Sequence, residues 1–129
     1  MATAVETVDA FIELICARDV ESACDHLAPD VVDDIVPMAA VEGRDAARSL
    51  LDALIAGADE VEWVVHRQVG DATTVMNERT DRFHVDGRWI EIPVAGIFEV
   101  TDGQITLWRD YFDLASFTSQ LTQPGDQPS

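Results

Sequence analysis

Apolar residues near the start of the chain are spaced as on one face of a helix. They begin at the segment formed by residues 3–6. The residue types and separation of Thr3 and Glu6 match a capping box, in which each side chain bonds the other residue's backbone N–H at a helix start. The apolar positions that recur every three or four residues are Val5, Val8, Phe11, Ile12, Ile15 and Cys16. This spacing predicts a first amphipathic helix.

Two further helices and a short extended stretch are predicted in the first half of the chain. The second helix is predicted over residues 20–27, because Pro29 biases the residue that precedes it away from helical geometry. Residues 31–36 form the extended stretch. The third helix is predicted over Arg44–Ala56, with Gly57 at its end. Its buried side is predicted to carry Leu50, Leu51, Leu54 and Ile55.

From Val61 onward the pattern changes to alternating apolar and polar residues, which is typical of β-strands. Asp86-Gly87 and Asp102-Gly103 each separate two alternating segments, and Asp-Gly favours a two-residue hairpin turn. Asp113 is placed to cap a last short helix. Residues 123–129 are predicted to form a flexible C-terminal tail.

The order of these elements predicts the fold class. Helices followed by antiparallel strands indicate an α+β fold, in which a curved, mixed and mainly antiparallel sheet packs against the N-terminal helices. A chain of 129 residues is long enough for one core and one pocket. We therefore expect a single domain over residues 1–122.

The net charge of the chain limits its partners. Its 25 acidic and 8 basic residues give a net charge of −17, and every basic residue is an arginine. Such a field repels nucleic acid and anionic lipid, so we expect neither as a partner and favour a neutral, apolar ligand. The sequence shows neither a signal-peptide pattern nor an apolar run long enough to span a bilayer, which predicts a cytoplasmic location.

Motifs for metals and cofactors are missing from the sequence. Neither the two cysteines nor the three histidines have the spacing of metal ligands. The chain also contains no nucleophilic serine or cysteine motif, no glycine-rich phosphate loop and no dinucleotide fingerprint. We expect no metal and no cofactor.

Two segments place charged residues among aromatic ones. Side chains alternate between the faces of a strand, so Arg79 and Asp81 project together. On a later strand Trp108, Asp110 and Phe112 share a face. If these two faces meet, two carboxyl groups and a guanidinium lie in apolar surroundings. Buried charges are costly unless they are paired, which favours a functional acid–base site over ordinary surface ion pairs.

The same segments resemble a known family. The order of elements and the segment His26-Leu27-Ala28-Pro29-Asp30-Val31-Val32 are similar to the NTF2-like superfamily, whose conical fold holds an apolar pocket between sheet and helices. Within it, the chain resembles the limonene-1,2-epoxide hydrolase family over nearly its whole length. The matching segments are Gly43-Arg44-Asp45-Ala46, Glu78-Arg79-Thr80-Asp81, Gly96-Ile97-Phe98 and Trp108-Arg109-Asp110-Tyr111-Phe112-Asp113.

The resemblance implies a cofactor-independent epoxide hydrolase. Such an enzyme adds water to a small apolar or terpene-like epoxide in one step and releases a vicinal diol. The family's triad corresponds to Asp81 as the acid, Asp110 as the base and Arg79 between them. The resemblance also implies a homodimer formed through the outer sheet face. That face is expected to carry Val61, Trp63 and Ile97.

The chain departs from the family at the residues that hold the attacking water. The family uses a Tyr and an Asn two positions apart, and this chain has Asp33 and Ile35 there. Tyr111, the only tyrosine, is expected on the face opposite Asp110. Either Asp33 or Asn77 could hold the water instead, although Asp33 could equally lie in a solvated loop. The expected pocket residues are Ile35, Met38, Leu54, Phe83, Val94, Trp108 and Phe112.

Three functions are open at this point. The first is epoxide hydrolysis by Asp81, Arg79 and Asp110. The second is an isomerase, dehydratase or polyketide cyclase that moves protons in the same pocket without water, which the loss of the water-holding pair favours. The third is a non-catalytic binding module, against which the complete charged triad argues.

Overall fold

The computed structural model describes residues 2–122, so the predicted tail at residues 123–129 lies outside the described residues. The bounds of the helices and strands are α1 Ala4–Cys16, α2 Val20–Cys24, β1 Leu27–Val36, β2 Val41–Glu42, α3 Arg44–Ala56, β3 Glu60–Gly70, β4 Thr74–Val85, β5 Arg88–Thr101, β6 Gln104–Phe112 and α4 Leu114–Thr122. No helix in this part of the chain is long and apolar enough to cross a membrane.

The strands form one open sheet in the order β2-β1-β6-β5-β4-β3. β1 runs parallel to β6, and every other neighbouring pair is antiparallel. α1 packs on one face of β3, β4, β5 and β6, and α3 packs on β1 and β2. This mixed, mainly antiparallel sheet under N-terminal helices confirms the predicted α+β class.

Helix α1 begins and packs as its sequence predicts. The Glu6 backbone N–H donates to Thr3 Oγ1 at 3.1 Å, and the Thr3 N–H donates to Glu6 Oε1 at 2.8 Å, so both halves of the capping box form. Val8, Phe11 and Ile15 on its inner face are fully buried. Each such side chain stabilises the fold by about 1.5–3 kcal/mol relative to an exposed position. The contact with the sheet therefore holds this helix in place.

The second helix and the first strand differ from the prediction. The helix ends at Cys24 instead of residue 27, and β1 begins at Leu27 rather than at Val31. The reason is tertiary: Leu27 pairs with Ile105 on β6, which draws the chain into the sheet. The register shifts before Val32, and this irregular part of the strand accommodates Pro29, which has no N–H to donate to a ladder.

Helix α3 has the predicted bounds, but only two of the four residues predicted on its buried face are buried. Leu51 and Ile55 are buried, as expected. Leu50 and Leu54 are 40% and 36% exposed, so their predicted burial is wrong. Both residues line a cavity between α3 and the sheet, which explains why apolar side chains stay accessible there.

Two hairpin turns fix the register of the central strands. Asp86 and Gly87 have φ values of 51° and 80°, and Asp102 and Gly103 have 52° and 75°. Positive φ at both central residues is the geometry of a type I′ turn, which Asp-Gly adopts readily. The predicted hairpins β4–β5 and β5–β6 are confirmed. Asp113 then caps α4 by accepting from the Ala115 N–H at 3.0 Å.

Two residues of the edge strand β3 lie on the opposite face of the sheet from the one predicted. Val61 and Trp63 are buried at 4% and 5% exposure on the inner face, so the prediction that they contribute to the outer face is wrong. Trp63 pairs with Asp81 across β3 and β4, and paired residues share a face. The outer face instead exposes Val69 and Met76. The homodimer stays a prediction.

Candidate active site

Three neighbouring strands bring the predicted charged residues together. β5 lies between β4 and β6, and Gly96 on β5 pairs with Asn77 on one side and with Asp110 on the other. A Cβ atom at Gly96 would lie 2.4 Å from Arg79 Nη1, 2.8 Å from Asp110 Oδ1 and 2.9 Å from Asn77 Oδ1. Because Gly96 has no side chain, side chains from both flanking strands converge in the space beside its backbone.

The guanidinium of Arg79 is the centre of the arrangement. It donates from Nε to Asp81 Oδ1 and from Nη2 to Asp81 Oδ2, both at 3.0 Å, in the bidentate geometry that suits a carboxylate. Nη2 also donates to Asp110 Oδ2 at 2.9 Å. The ring of Trp63 lies 5.0 Å from the guanidinium carbon, within cation–π range. The fully buried cation is thus paired on both sides.

Asp110 has two differently placed oxygens. Its Oδ2 accepts from Arg79 Nη2 and from the Trp108 indole N–H at 3.0 Å. Its Oδ1 is buried without a hydrogen-bond partner in the described part of the chain. Oδ2 is thus occupied by two donors, and Oδ1 keeps its full capacity to accept a hydrogen bond.

A largely apolar cavity of about 520 Å³ opens beside these carboxyl groups. Asp33, Asp81 and Asp110 lie on its wall. All seven residues expected at the pocket also lie there: Ile35, Met38, Leu54, Phe83, Val94, Trp108 and Phe112. The volume is within the range of small-molecule sites. Tyr111 is 45% exposed and is not on this wall.

Asp33 lies in the cavity wall rather than in a solvated loop. It is 1% exposed, and β1 pairs it with Trp108 of β6. Its Oδ1 has no hydrogen-bond partner within residues 2–122. The next residue, Asp34, belongs to the opposite face, where it accepts from Arg109 Nε at 2.7 Å. The sequence was compatible with Asp33 either in the active site or in a solvated loop. The pairing of β1 with β6 places it in the buried cavity wall.

Asn77 does not have the position that was predicted for it. Its Oδ1 accepts from Arg79 Nη1 at 2.8 Å, and its Nδ2 donates to Gln68 Oε1 at 3.0 Å. It is not on the wall of the cavity that holds Asp110. Both ends of the Asn77 side chain are therefore hydrogen-bonded, one to Arg79 and the other to Gln68. Asn77 supports the Arg79 guanidinium and does not reach a water in the cavity. The prediction of a water-holding Asn77 is therefore wrong.

The pKa values of the buried groups are shifted by their surroundings. Burial raises the pKa of Asp81 to about 6, against the opposing effect of the Arg79 charge, and the charge of Asp110 adds to the rise. Burial and then the charge of Asp110 raise the pKa of Asp33 to about 7. Burial alone would lower the pKa of Arg79, but Asp110 and Asp81 raise it overall, so the guanidinium stays charged. Asp81 and Asp33 can thus carry protons near neutral pH.

Two residues of the site were not identified from sequence. Gly96 was noted only as part of a motif, although an isolated glycine inside a strand is itself a signal of close approach by other groups. Trp63 was assigned to the outer face, because alternation along one strand does not say which face is inside. The pairing of Trp63 with Asp81 supplies that information.

The polar side chains offer no metal site within residues 2–122. No group of three or more His, Cys, Asp or Glu in this part of the chain is arranged to hold a metal ion. His66 contacts Thr80, and His84 contacts Asp59, both at the surface. The arrangement instead supports proton transfer by carboxyl groups.

Comparisons with known proteins identify a family and several relatives that are similar over most of the chain. The family model of the limonene-1,2-epoxide hydrolase catalytic domain matches residues 2–123. The chain is 35% identical over 107 residues to the epoxide hydrolase EphG of Mycobacterium tuberculosis, which covers 83% of this chain and 71% of that protein. It resembles the structure of an M. tuberculosis LEH-like epoxide hydrolase with a TM-score of 0.78 and 32% identity, over 89% of this chain and 86% of that one. An NTF2-like protein of unknown function from Burkholderia pseudomallei is similar in fold alone, with a TM-score of 0.81 at 18% identity over 95% and 99% of the two chains.

Proposed function

Because the chain belongs to the limonene-1,2-epoxide hydrolase family, we propose that it adds water to a small apolar epoxide and releases a vicinal diol. The proposed catalytic residues are Asp81, Arg79 and Asp110. The observation that carries the proposal is the continuous hydrogen-bonded array of these three side chains, with both carboxyl groups on the wall of one apolar cavity.

In the proposed reaction the two carboxyl groups have opposite tasks. Asp81 donates its proton to the epoxide oxygen as the C–O bond of the ring breaks. Asp110 removes a proton from the attacking water as the water oxygen bonds to the ring carbon. The raised pKa of Asp81, about 6, keeps a protonated fraction available near neutral pH. Oδ2 of Asp110 is occupied by two donors, which leaves Oδ1 as the atom that takes the water proton.

Arg79 acts in this scheme by its charge and geometry. Its raised pKa excludes it as the proton donor, so the acid has to be a carboxyl group. A cation bonded to both carboxyl groups stabilises the negative charge on Asp110 before the reaction and on Asp81 after it. One turnover leaves the proton on Asp110 instead of Asp81. Transfer back, through the array or through water, restores the starting state.

The cavity supports an apolar substrate. Its wall consists mostly of aliphatic and aromatic side chains, and the ionisable side chains on it are the three carboxyl groups. A neutral epoxide with a hydrocarbon body of terpene size suits a volume of about 520 Å³.

A homodimer in the cytoplasm is the proposed working form of the protein.

The proposal is tested by hydrolysis in isotopically labelled water. The purified protein, given limonene 1,2-epoxide and styrene oxide, should release diol that carries one labelled oxygen. Asp110→Asn should lower kcat by about 10²–10⁴-fold, because the amide cannot take the water proton. Asp113→Asn is the matched control: the residue is exposed at the start of α4, and Asn also caps helices. Absence of turnover by the purified protein over a broad panel of epoxides refutes the proposal.

A proton-transfer isomerase is the second candidate, since Asn77 is not available to hold a water in the cavity. The two functions differ in one measurement. An isomerase exchanges a substrate C–H hydrogen with deuterated solvent and incorporates no solvent oxygen. Label from water in the product, without such exchange, selects the hydrolase.

A further inference from the structure

A third carboxyl group lies beside the proposed triad and has no task in it. Asp33 is buried on the cavity wall. Because β1 runs parallel to β6, Asp33 pairs with Trp108 while Ile35 pairs with Asp110, which places Asp33 and Asp110 on the same wall. The Oδ1 atoms of both carboxyl groups are buried without a partner among the described residues. Buried acceptors of this kind are rare and require a donor.

The donors around the two carboxyl groups are unequally distributed. Asp110 accepts from the Arg79 guanidinium and from the Trp108 indole. Asp33 Oδ1 accepts from nothing within residues 2–122. When two neighbouring carboxyl groups compete for one proton, the group without donors keeps it, because its charged form is the less stabilised. The negative charge therefore belongs on Asp110 and the proton on Asp33.

The charged groups around Asp33 support this assignment. Burial and the charge of Asp110 raise the pKa of Asp33 to about 7, with a smaller effect from Asp34. On β4, Arg79 is already bonded to Asp81 and Asp110. The residues that α3 and β2 present to the cavity are apolar: Val41, Leu50, Leu51, Ala53 and Leu54. The neighbouring elements thus supply Asp33 with no cation of its own.

We propose that Asp33, as a neutral carboxylic acid, is a positioning residue that holds the attacking water against Asp110. The inference rests on the proposed hydrolase function. The carbonyl oxygen of Asp33 accepts one hydrogen of the water, Asp110 accepts the other, and the free lone pair of the water faces the epoxide carbon. The water oxygen then bonds to that carbon, Asp110 takes the water proton and Asp81 protonates the ring oxygen. Asp33 keeps its own proton throughout.

Ionisation of Asp33 should stop this step. A second negative charge beside Asp110 lacks donors and disturbs the base, so hydrolysis requires both Asp33 and Asp81 in their protonated forms. Each required proton makes kcat/KM fall about tenfold per pH unit above its pKa, and two of them together about a hundredfold. The slope of the alkaline limb therefore counts the protonated carboxyl groups that the reaction needs.

The test compares the pH profiles of the wild type, Asp33→Asn and Asp33→Leu. The amide of Asp33→Asn is neutral at all pH values and accepts the water hydrogen, so its alkaline limb should fall only about tenfold per pH unit while that of the wild type approaches a hundredfold. Asp33→Leu holds no water and should lose roughly 10²-fold in kcat/KM at pH values below the pKa of Asp33, where the wild type carries the required proton. Asp30→Asn, on the exposed side of the same strand, should match the wild type. Equal alkaline slopes in the wild type and Asp33→Asn, or equal losses in both Asp33 variants, overturn the inference.

An infrared measurement separates this inference from the proposed function. The difference spectrum between the wild type and Asp33→Asn at pH 6 should contain the carbonyl band of a protonated carboxyl group, and the difference between the wild type and Asp30→Asn should not. A carboxylate band in its place contradicts a neutral Asp33 whatever the activity is. Absence of epoxide turnover in the wild type instead refutes the hydrolase, and with it the task assigned to Asp33.

Discussion

Substitution of Gly96 by alanine tests the site without changing any residue of the triad. The added Cβ atom would lie 2.4 Å from Arg79 Nη1, and ordinary contact begins at 3.4 Å, so the guanidinium has to retreat by about 1 Å. Asp110 Oδ1, at 2.8 Å, has to move as well. Both groups are buried and hydrogen-bonded on their other sides, which leaves little room for adjustment.

The expected losses follow from these distances. Overpacking a buried position costs about 1–3 kcal/mol in the free energy of unfolding. A displacement of about 1 Å in a catalytic array can lower kcat by roughly 10²-fold. Urea unfolding gives the first quantity for Gly96→Ala, and epoxide hydrolysis at saturating substrate gives the second.

Gly57→Ala is the matched control for Gly96→Ala. A Cβ atom at Gly57 meets no atom of the described residues within 4 Å, and the φ of Gly57, −86°, is accessible to alanine. This variant should keep the stability and kcat of the wild type. If Gly96→Ala behaves in the same way, the crowding of Arg79 and Asp110 around Gly96 is refuted. If it loses stability but not kcat, the array exists and is not the catalytic site.

Three further predictions concern stability, the base and the substrate. The folded-state pKa of Asp33, about 7, lies above its unfolded value of about 3.8, so the folded protein holds an extra proton between these values. Asp33 therefore contributes a fall in the free energy of unfolding as the pH rises from about 4 to about 7, and the raised pKa of Asp81 adds to this fall. Urea unfolding should show a shallower fall in Asp33→Asn, and an unchanged fall contradicts the shift. Trp108→Phe removes a donor to Asp110 and should lower kcat about tenfold or more in steady-state assays, whereas Trp89→Phe, in a half-exposed surface position, should not. Leu54→Trp narrows the cavity and should raise KM for bulky epoxides relative to small ones; an unchanged KM ratio would place the substrate elsewhere.

Much of the fold was predictable because its signals are local. The capping box at Thr3, the bounds of α3 and the Asp-Gly hairpins depend on neighbouring residues alone, and all were confirmed. The errors at the second helix and the first strand have a non-local cause. Residues 25–30 have no strong preference of their own, and pairing with β6 decides their structure.

The candidate site was predictable in its chemistry but only partly in its geometry. Alternation along the strands showed that Arg79 and Asp81 share one face and that Trp108 and Asp110 share another. Alternation gives no information on which face of the sheet is buried. For this reason Trp63 was predicted on the outer face, whereas it lies on the inner one. It also could not show that Asn77 is bonded behind Arg79 instead of facing the cavity.

The sequence by itself determined the α+β class, the family resemblance and the residues able to exchange protons, because spacing, turn chemistry and motif are properties of short segments. The tertiary structure alone decided that Gly96 provides the space in which Arg79 meets Asp110, and that Asp33 is buried on the same wall as Asp110. Both facts depend on the register between strands far apart in the chain, and a one-residue shift in that register would turn either carboxyl group to the opposite face.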